Sequence, residues 1–312
     1  MTLPHKGKKP KRKSLKAVWK KNWQIYVLIS PAVIYFIIFH YLPIYGIQIA
    51  FRDYKIVQGI TGSAWVGLEH FKTFFHAYYF KRLLSNTFLL NIYYLLWTFP
   101  FPIILALFLN QIKKPGRKRF IQTTIYIPHF ISTVVLAGML YIFLSPTSGI
   151  FNTIREMFGL KAIDYMSSAP AFRTIYIVSG IWQGAGWGTI LYLASLSGVD
   201  QELYEAAEID GASIWQKIRY IDIPSLRAVI SMTLIMNCGG LLGSNTDKVL
   251  VMQTPGNTPV SDIIGTYVYN VGLGSAQFSY TAAIGLFINV INFFLIIAAN
   301  QASKKISDIG MF

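Results

Sequence analysis

The amino-acid sequence predicts an all-α membrane protein that crosses the bilayer several times. Of its 312 residues, 54% are hydrophobic and only 13% are charged, whereas about a quarter of the residues of a soluble domain are charged. The apolar residues also form continuous blocks, several of which reach the ~20 residues that a helix needs to cross a bilayer. A backbone in lipid must satisfy its own hydrogen bonds, so blocks of this length form helices rather than barrel strands.

Six apolar segments are predicted to span the membrane. They are residues 23–49, 86–110, 123–144, 174–196, 228–244 and 279–302. Proline interrupts the first three, and glycine is frequent in the fourth and fifth. Such breaks are tolerated where neighbouring helices or a water-lined cavity satisfy the freed carbonyl groups. We therefore predict a membrane domain over residues 23–303, between a basic tail, 1–22, and a short tail, 304–312.

The distribution of basic residues predicts the orientation of these spans. Of the 28 Lys and Arg residues, 19 lie in the N-terminal tail, the loop after the second span, the loop after the fourth span and the C-terminal tail. Positively charged loops stay on the cytoplasmic side. Both termini are therefore expected in the cytoplasm of a multi-pass protein of the plasma membrane. The net charge of +15 is better explained by this topology and by anionic lipid than by nucleic-acid binding.

The sequence contains no pattern that indicates catalysis. It has no G-x-x-x-x-G-K-[ST] loop, no nucleophile elbow and no histidines at metal-ligand spacing. We therefore expect no catalytic residue, no metal site and no cofactor bound by this chain. The interiors of the six spans also lack Asp and Glu, which ion-coupled carriers usually place at membrane depth. A passive pore or a permease driven by another subunit remains.

The loop between the fourth and fifth spans is unusually acidic and rich in alanine. Its sequence, ELYEAAEIDGASIWQKIRYIDIP, covers residues 202–224. Asp200 is expected to cap a helix that runs to Ile209, and Gly211 is a natural C′ residue after it. A second amphipathic helix is predicted over residues 212–221, ended by Pro224. The pattern indicates a compact helix–turn–helix that receives force from another protein.

This loop resembles the E-A-A-x-x-D-G-A-…-I-x-L-P loop of binding-protein-dependent ABC importer permeases. The matching residues are Glu205, Ala206, Ala207, Asp210, Gly211, Ala212, Ile221, Ile223 and Pro224, with Ile223 where leucine is usual. Two outer segments, WVGLEHF at 65–71 and GIFN at 149–152 followed by Gly159 and Leu160, are similar to loops of the carbohydrate-importing branch. The resemblance covers nearly the whole chain after about residue 22.

The resemblance implies the type I ABC importer permease fold and a role in carbohydrate uptake, of an oligosaccharide or glycan in particular. It makes residues 198–226 a coupling loop, whose helix docks on a cytoplasmic ATPase subunit and transmits closure of the ATPase dimer. The residues it assigns to coupling are Glu205, Ala206, Ala207, Asp210, Gly211, Ala212, Ile223 and Pro224.

The same resemblance implies the partners of the chain. They are a second homologous permease chain, two ATPase subunits that bind ATP and Mg²⁺, and an extracellular substrate-binding protein or lipoprotein. This binding protein would deliver sugar to the outer loops, residues 51–85, 145–173 and 251–278, and transport would proceed by alternating access.

Candidate substrate contacts are amides, hydroxyls and aromatic rings inside the spans, since sugars present apolar C–H faces and many hydroxyl groups. The candidates are Tyr93, Trp182, Gln183, Trp187, Asn237, Ser244, Asn289 and Asn292. Each has a structural alternative, because small residues and asparagines also join helices and tryptophan also marks the lipid interface. Together they favour a neutral polyhydroxylated substrate, and half of the path would come from the partner permease.

Three other functions remain open from the sequence. A permease of the same fold could import another solute, such as an amino acid. An ion-coupled secondary carrier would transport without any ATPase, but the spans lack the acidic residues that it needs. A membrane enzyme would require catalytic carboxylates, for which Asp200, Glu202 and Asp210 are the candidates, but their predicted helix forms no pocket.

Overall fold

The computed structural model describes residues 15–243, 245–307 and 310. Within these residues the chain is helical except for short connections and one two-stranded ribbon. The α-helices are α1 (Leu15–Phe36), α2 (Gly59–Gly62), α3 (Glu69–His76), α4 (Phe80–Thr98), α5 (Pro100–Asn110), α6 (Pro115–Tyr126), α7 (Thr133–Phe143), α8 (Ile150–Met157), α9 (Ala169–Ser197), α10 (Gln201–Ile209), α11 (Ile214–Lys217), α12 (Ile223–Gly239), α13 (Thr246–Met252), α14 (Thr258–Ser261), α15 (Ile264–Gly274) and α16 (Phe278–Ser307). The ribbon pairs β1 (Arg52–Asp53) with β2 (Ala64–Trp65) in antiparallel fashion.

At least four helical segments of the described chain are long and apolar enough to cross a membrane. They are Lys21–Phe51, Phe80–Asn110, Ile214–Gly239 and Phe278–Lys305. They include most or all of the predicted first, second, fifth and sixth spans. The predicted fourth span lies inside α9, which has 29 residues. The number six stays a prediction.

The predicted third span, 123–144, is not one continuous helix. The helix Pro115–Phe130, which ends in a 3₁₀ turn, and helix α7 meet at an angle of 95°. The backbone is extended at Ile131, and Ser132 caps α7 by accepting a hydrogen bond from the Val135 N–H. A serine cap starts a new helix here, and its extended backbone cannot continue the previous one. The span was predicted to be interrupted at Pro128, whereas the helix runs through Pro128 in its 3₁₀ turn and the break lies at Ile131 and Ser132.

The first span stays helical through its prolines by changing its hydrogen-bond pattern. Helix α1 contains Pro31 and continues as a π-helical turn, Ile37–Tyr41, and a 3₁₀ helix, Leu42–Phe51. Pro43 is the second residue of this 3₁₀ helix, and the wider π turn before it accommodates the missing N–H. The boundary of the predicted N-terminal tail, 1–22, falls within α1, and residues 1–14 lie outside the described residues. Likewise, α16 extends to Ser307, beyond the predicted boundary at 304.

Helix α9 occupies the centre of the fold. It packs against α4, α5, α6 and α12, and its buried residues include Phe172, Tyr176, Tyr192 and Leu196. Gly186 lets the backbone of α6 approach closely, since a Cβ there would overlap the carbonyl group of Ile125. The glycines of the predicted fourth span thus serve helix packing, and α9 links the two ends of the molecule.

Candidate functional site: the cytoplasmic loop and the membrane path

The loop at residues 200–224 begins with a capped helix, as predicted. Asp200 has extended backbone angles, and its carboxylate accepts a hydrogen bond from the Glu202 N–H at 3.0 Å. The N-cap bond satisfies one of the free amide groups of α10, and the negative charge of Glu202 in the first turn interacts favourably with the positive end of the helix dipole. Both features set the start of α10 from local sequence alone.

Gly211 ends α10 in a Schellman motif. Its φ is +74°, the left-handed region that glycine reaches without strain. The Ala212 N–H donates to the Ala207 carbonyl at 2.8 Å, and the Gly211 N–H donates to the Glu208 carbonyl at 3.1 Å. These two bonds are the 6→1 and 5→2 pairs of this motif. Position 211 therefore requires a left-handed backbone conformation, which other residues adopt less readily than glycine.

The second helix of the loop differs from the prediction. It starts with a capping box, in which Ser213 and Gln216 each accept a hydrogen bond from the other's backbone N–H. It does not end at Pro224, and the prediction of a stop there was wrong. The helix passes through a π turn, Ile218–Asp222, and continues as α12 to Gly239. The π turn carries a hydrogen bond from the Ile223 N–H to the Ile218 carbonyl and accommodates the proline that follows it.

Asp222 forms a hydrogen-bonded centre that joins the loop to the rest of the fold. It is fully buried. Its carboxylate accepts from the Tyr204 hydroxyl at 2.5 Å, from the Gln111 amide at 2.7 Å and from the Asn110 amide at 3.2 Å. Burial, followed by the hydrogen bond to Asp222, raises the pKa of Tyr204 to about 12, so that Tyr204 remains a donor. Helix α10, the end of α5 and the π turn thus share one carboxylate.

A second polar link connects the same elements. One oxygen of Glu208 lies 3.0 Å from the Nζ atoms of both Lys113 and Lys217. The hydrogen bonds from Lys217 and then Lys113 lower the pKa of the Glu208 carboxyl. The side chain of Lys217 is 10% exposed and that of Lys113 is 81% exposed. The buried lysine holds α10 against α11, while the exposed one reaches it from the connection after α5.

The opposite face of α10 is open to solvent. Glu205, Ala206 and Asp210 are exposed, and the apolar side chain of Ile209 is 87% exposed at the end of the helix. Ala207 and Ala212 are half-buried towards the body of the fold, as is Pro224, whereas Ile223 is 40% exposed. Glu205, Ala206 and Ala207 therefore lie on α10, with Asp210, Gly211 and Ala212 at its end, whereas Ile223 and Pro224 lie at the start of α12.

Two of the predicted substrate contacts meet in one cavity. Trp187 of α9 and Asn237 of α12 line a cavity of about 510 Å³, together with Tyr192 and Thr233. The ring of Trp187 is stacked on His129, with centroids 4.5 Å apart. The amide of Asn237 donates to the Thr233 carbonyl at 2.7 Å. The cavity thus combines an aromatic ring, hydroxyl groups and an amide.

Three other candidates have different surroundings. Trp182 lines a separate, almost entirely apolar cavity of about 380 Å³ beside α7. The amide of Gln183 donates to the Ile131 carbonyl at 2.7 Å, at the break before α7. Asn292 is buried and accepts from the Leu242 N–H at 3.1 Å. Gln183 and Asn292 therefore join helices in this structure.

The remaining candidates lie apart from these cavities. Tyr93 is 43% exposed, and Asn289 is also exposed, on α16. Ser244 lies outside the described residues. The structure thus groups Trp187 with Asn237 and leaves Tyr93 and Asn289 on open faces of the described chain.

Sequence reasoning missed the residues that attach the loop. Asp222, Asn110 and Gln111 were not among the candidates, although Asp222 is an isolated acid within an apolar helical pattern, IRYIDIP. Buried carboxylates need hydrogen-bonded partners, so this position was a recognisable signal. Nothing in the local sequence, however, indicated that its partners lie 111 and 112 residues earlier.

Comparisons with known proteins agree with the loop and the fold. Residues 73–308 match the family model of the binding-protein-dependent transport system inner membrane component. The chain is 40% identical over 316 residues to Protein LplB of Bacillus subtilis (strain 168), covering 100% of this chain and 99% of that protein. It is also 40% identical over 305 residues to the polygalacturonan/rhamnogalacturonan transport system permease protein YteP of the same organism, covering 98% of this chain and 95% of YteP.

A solved structure has the same fold over nearly the whole chain. It belongs to a bacterial ABC transporter for alginate, in complex with an alginate pentasaccharide-bound periplasmic protein, and matches with a TM-score of 0.87 and 35% identity, covering 96% of this chain and 100% of that chain. The same transporter is described as importing an acidic polysaccharide. With its loop, its fold and the family match over residues 73–308, this chain belongs to the inner membrane components of binding-protein-dependent transport systems and has the type I ABC importer permease fold.

Proposed function

We propose that this chain is the transmembrane permease subunit of an ATP-driven ABC importer that takes up an oligosaccharide or glycan. The observation that carries the proposal is the loop at residues 200–224. It is a short helix attached by Asp222 on one side, with exposed coupling residues on the other. The carbohydrate class is supported by the relatives YteP and the alginate transporter, whose names include polysaccharides, and by the ring, amide and hydroxyl groups around Trp187 and Asn237.

ATP hydrolysis would be supplied by two separate ATPase subunits that bind ATP and Mg²⁺. Each would receive the exposed face of a coupling helix in a groove, with the apolar side chain of Ile209 as an anchor. A fully buried apolar side chain of this size contributes about 1.5–3 kcal/mol. Glu205 and Asp210 on the same face would select a groove with complementary polar groups.

Movement of the ATPase subunits would reach the membrane through Asp222. A push on α10 moves the Tyr204 hydroxyl, which is hydrogen-bonded to Asp222. Asp222 in turn holds the end of α5 through Asn110 and Gln111, and it is the residue directly before α12. Helices α5 and α12 both line the cavity of Trp187 and Asn237. Rigid-body movement of the loop would therefore change the shape of that cavity.

The loop side of the molecule is proposed to face the cytoplasm, together with both termini, because most basic residues lie there. The opposite side would receive the loaded substrate-binding protein. A second, homologous permease chain would complete the path, with exposed faces such as those of Tyr93 and Asn289 available to it. Alternating access between the two sides would follow from the ATPase cycle.

The proposal is tested by Gly211→Asp in the assembled transporter, measured as sugar uptake and as co-purification of the ATPase subunits. The substitution forces a Cβ into a backbone with φ of +74° and disturbs the end of α10. We expect uptake to fall at least tenfold and the ATPase to be lost, while the chain still inserts into the membrane.

Two variants separate strain from charge. Gly198→Asp adds the same carboxylate in the same loop at a residue with φ of −87°, and Gly211→Asn adds a residue that tolerates the left-handed region better. Gly198→Asp should keep most of the uptake and the ATPase, and Gly211→Asn should lie between Gly198→Asp and Gly211→Asp. Equal uptake and equal ATPase association in wild type and Gly211→Asp would refute the role of the loop.

A further inference from the structure

A polar cavity lies at the end of the molecule opposite the coupling loop. The helical segment Phe80–Asn110 has 31 residues, which corresponds to about 46 Å of helix. Asn110, at one end, contacts Asp222. At the other end, the first turns of α4 face the connection between α13 and α15. The cavity between them has a volume of about 430 Å³, within the ~300–1,000 Å³ range of small-molecule sites.

The lining of this cavity is unlike that of the apolar cavity beside α7. It includes two tyrosines, Tyr79 and Tyr267, two amides, Gln253 and Asn270, and the charged pair Arg82 and Asp262. In the described part of the chain, neither Gln253 nor Asn270 uses its side-chain amide in a hydrogen bond. Aromatic rings beside free amides and a charged pair offer an apolar face and hydrogen-bonding groups within one small volume.

The charged pair is held in place but keeps hydrogen-bonding capacity. Arg82 donates from Nη2 to Asp262 at 2.7 Å, and its guanidinium lies over the ring of Tyr79, 4.8 Å from the centroid. The Arg82 Nε is buried and has no hydrogen-bond partner among the described residues. The side chain of Arg82 is 39% exposed, whereas that of Asp262 is 14% exposed. The buried Nε is out of reach of a ligand, but the exposed part of this fixed guanidinium can donate to an oxygen-rich ligand.

The wall of the cavity is rigid. Asn257 is fully buried and donates to the carbonyls of Met166 and Met252 at 2.8 and 2.9 Å. Asn86, one helical turn after Arg82, donates to the Pro259 carbonyl at 2.9 Å and to the Asp262 carbonyl at 3.1 Å. These bonds fix the connection between α13 and α15 to α4 and to the segment before α9. A preformed site loses little conformational entropy when it binds a ligand.

We propose that this cavity is an entry subsite for saccharide, in which the sugar ring lies against the tyrosines and its hydroxyl groups bind Gln253, Asn270 and the Arg82–Asp262 pair. The proposal rests on the proposed carbohydrate transport and adds a second place on the same path. The subsite would hold part of the chain before it passes to the cavity of Trp187 and Asn237. A saccharide suits the lining better than an ion, since the two charges of the cavity neutralise each other.

The test uses single cysteines in the complete transporter in detergent, with Cys238→Ala as the background, since Cys238 is the one native cysteine. Asn270→Cys reports on the cavity. Gln277→Cys is the control, because Gln277 is exposed in the connection after α15 and does not line the cavity. The probes are an alginate pentasaccharide and an oligogalacturonide, each offered with and without the binding protein. Maleimide labelling is followed over time in detergent, and sugar uptake is measured after the same variants are reconstituted into lipid vesicles.

We expect free saccharide to slow the labelling of Asn270→Cys at least threefold and to leave Gln277→Cys unchanged. Asn270→Ala should raise the KM for uptake more than it lowers kcat, whereas Gln277→Ala should change neither. If only the loaded binding protein slows the labelling of Asn270→Cys, this surface is a contact with that protein and the proposal is overturned. The proposal is also overturned if no saccharide slows the labelling while uptake persists. If the Cys238→Ala parent transporter takes up no carbohydrate at all, the proposed function is refuted instead.

Discussion

The loop at residues 200–224 and the polar cavity beside Arg82 and Asp262 contain similar side chains, but these side chains differ in how many of their hydrogen-bonding groups have partners. Around Asp222, a tyrosine and two amides all donate to one buried carboxylate. Around Asp262, an arginine donates to the carboxylate, but its Nε has no partner among the described residues and two nearby amides make no described hydrogen bond. The first cluster is saturated and closed, whereas the second is unsaturated and surrounds a cavity. We infer that the saturated cluster is suited to transmit movement between helices and that the unsaturated one is available to a ligand.

The largest expected effect comes from Asp222→Ala. It removes the acceptor of the Tyr204 hydroxyl and of the Gln111 amide, whereas the Asn110 amide keeps its hydrogen bond to the Tyr204 oxygen. A fully buried donor left without a partner costs about 1–3 kcal/mol, and these half-buried side chains cost less than that. The face of α10 that would contact the ATPase is not altered. We therefore expect the ATPase to co-purify, uptake to fall by on the order of tenfold or more, and ATP hydrolysis to lose its stimulation by loaded binding protein.

Asp222→Asn is the matched control for this prediction. Asparagine keeps one acceptor for Tyr204 and loses the acceptor for Gln111, so its uptake should lie between those of wild type and Asp222→Ala. If Asp222→Ala transports at the wild-type rate, the two clusters do not differ as we infer, and Asp222 has no role in transmission.

The two regions also differ in how far the sequence predicted them. The start and end of α10 depend on Asp200 and Gly211, which act within a few residues of their own positions, and both were predicted correctly. The pair of Arg82 and Asp262 joins residues 180 positions apart, and no local pattern indicates it. Helix caps are local physics, whereas a cavity depends on which distant elements pack together.

The errors have the same origin. Pro224 and the third span were interpreted with a local rule, in which proline stops or interrupts a helix at its own position. In the structure a π turn carries the helix past Pro224, and a serine cap divides the apolar block into two helices 95° apart. Neighbouring helices satisfy the carbonyls that these breaks release, as Gln183 does for Ile131. Such compensation is tertiary and is not visible in a single segment.

The glycines of α9 provide a second test, since this helix joins the two regions. A Cβ at Gly186 would overlap the carbonyl group of Ile125 on α6, whereas a Cβ at Gly184 would meet nothing within 4 Å. We expect Gly186→Ala to destabilise the protein by ~1–3 kcal/mol through overpacking, seen as a lower midpoint of thermal unfolding in detergent. Gly184→Ala should be neutral or stabilising by up to ~1 kcal/mol, because alanine favours helix. Equal midpoints for the two variants would show that α6 and α9 are not in this close contact.

The smallest expected effects concern the two lysines that share Glu208. Lys113 and Lys217 lie at the same distance from one carboxylate oxygen, but their side chains are 81% and 10% exposed. An exposed ion pair contributes little and is weakened by salt, while the buried stem of Lys217 also packs against its surroundings. Lys113→Ala should therefore reduce the thermal midpoint slightly and only at low salt, and Lys217→Ala should reduce it more and at all salt concentrations.

The pH dependence has a defined sign. The pKa of Glu208 is lower in the folded protein than the ordinary pKa of a glutamate. Its interactions with the two lysines therefore stabilise the fold at pH values above that ordinary pKa, and this stabilisation is lost as the pH falls through the lowered pKa. The difference between wild type and Lys217→Ala should thus shrink on acidification, down to the part that is due to packing. If the two lysine variants behave alike at every salt concentration, burial of Lys217 adds nothing to the loop.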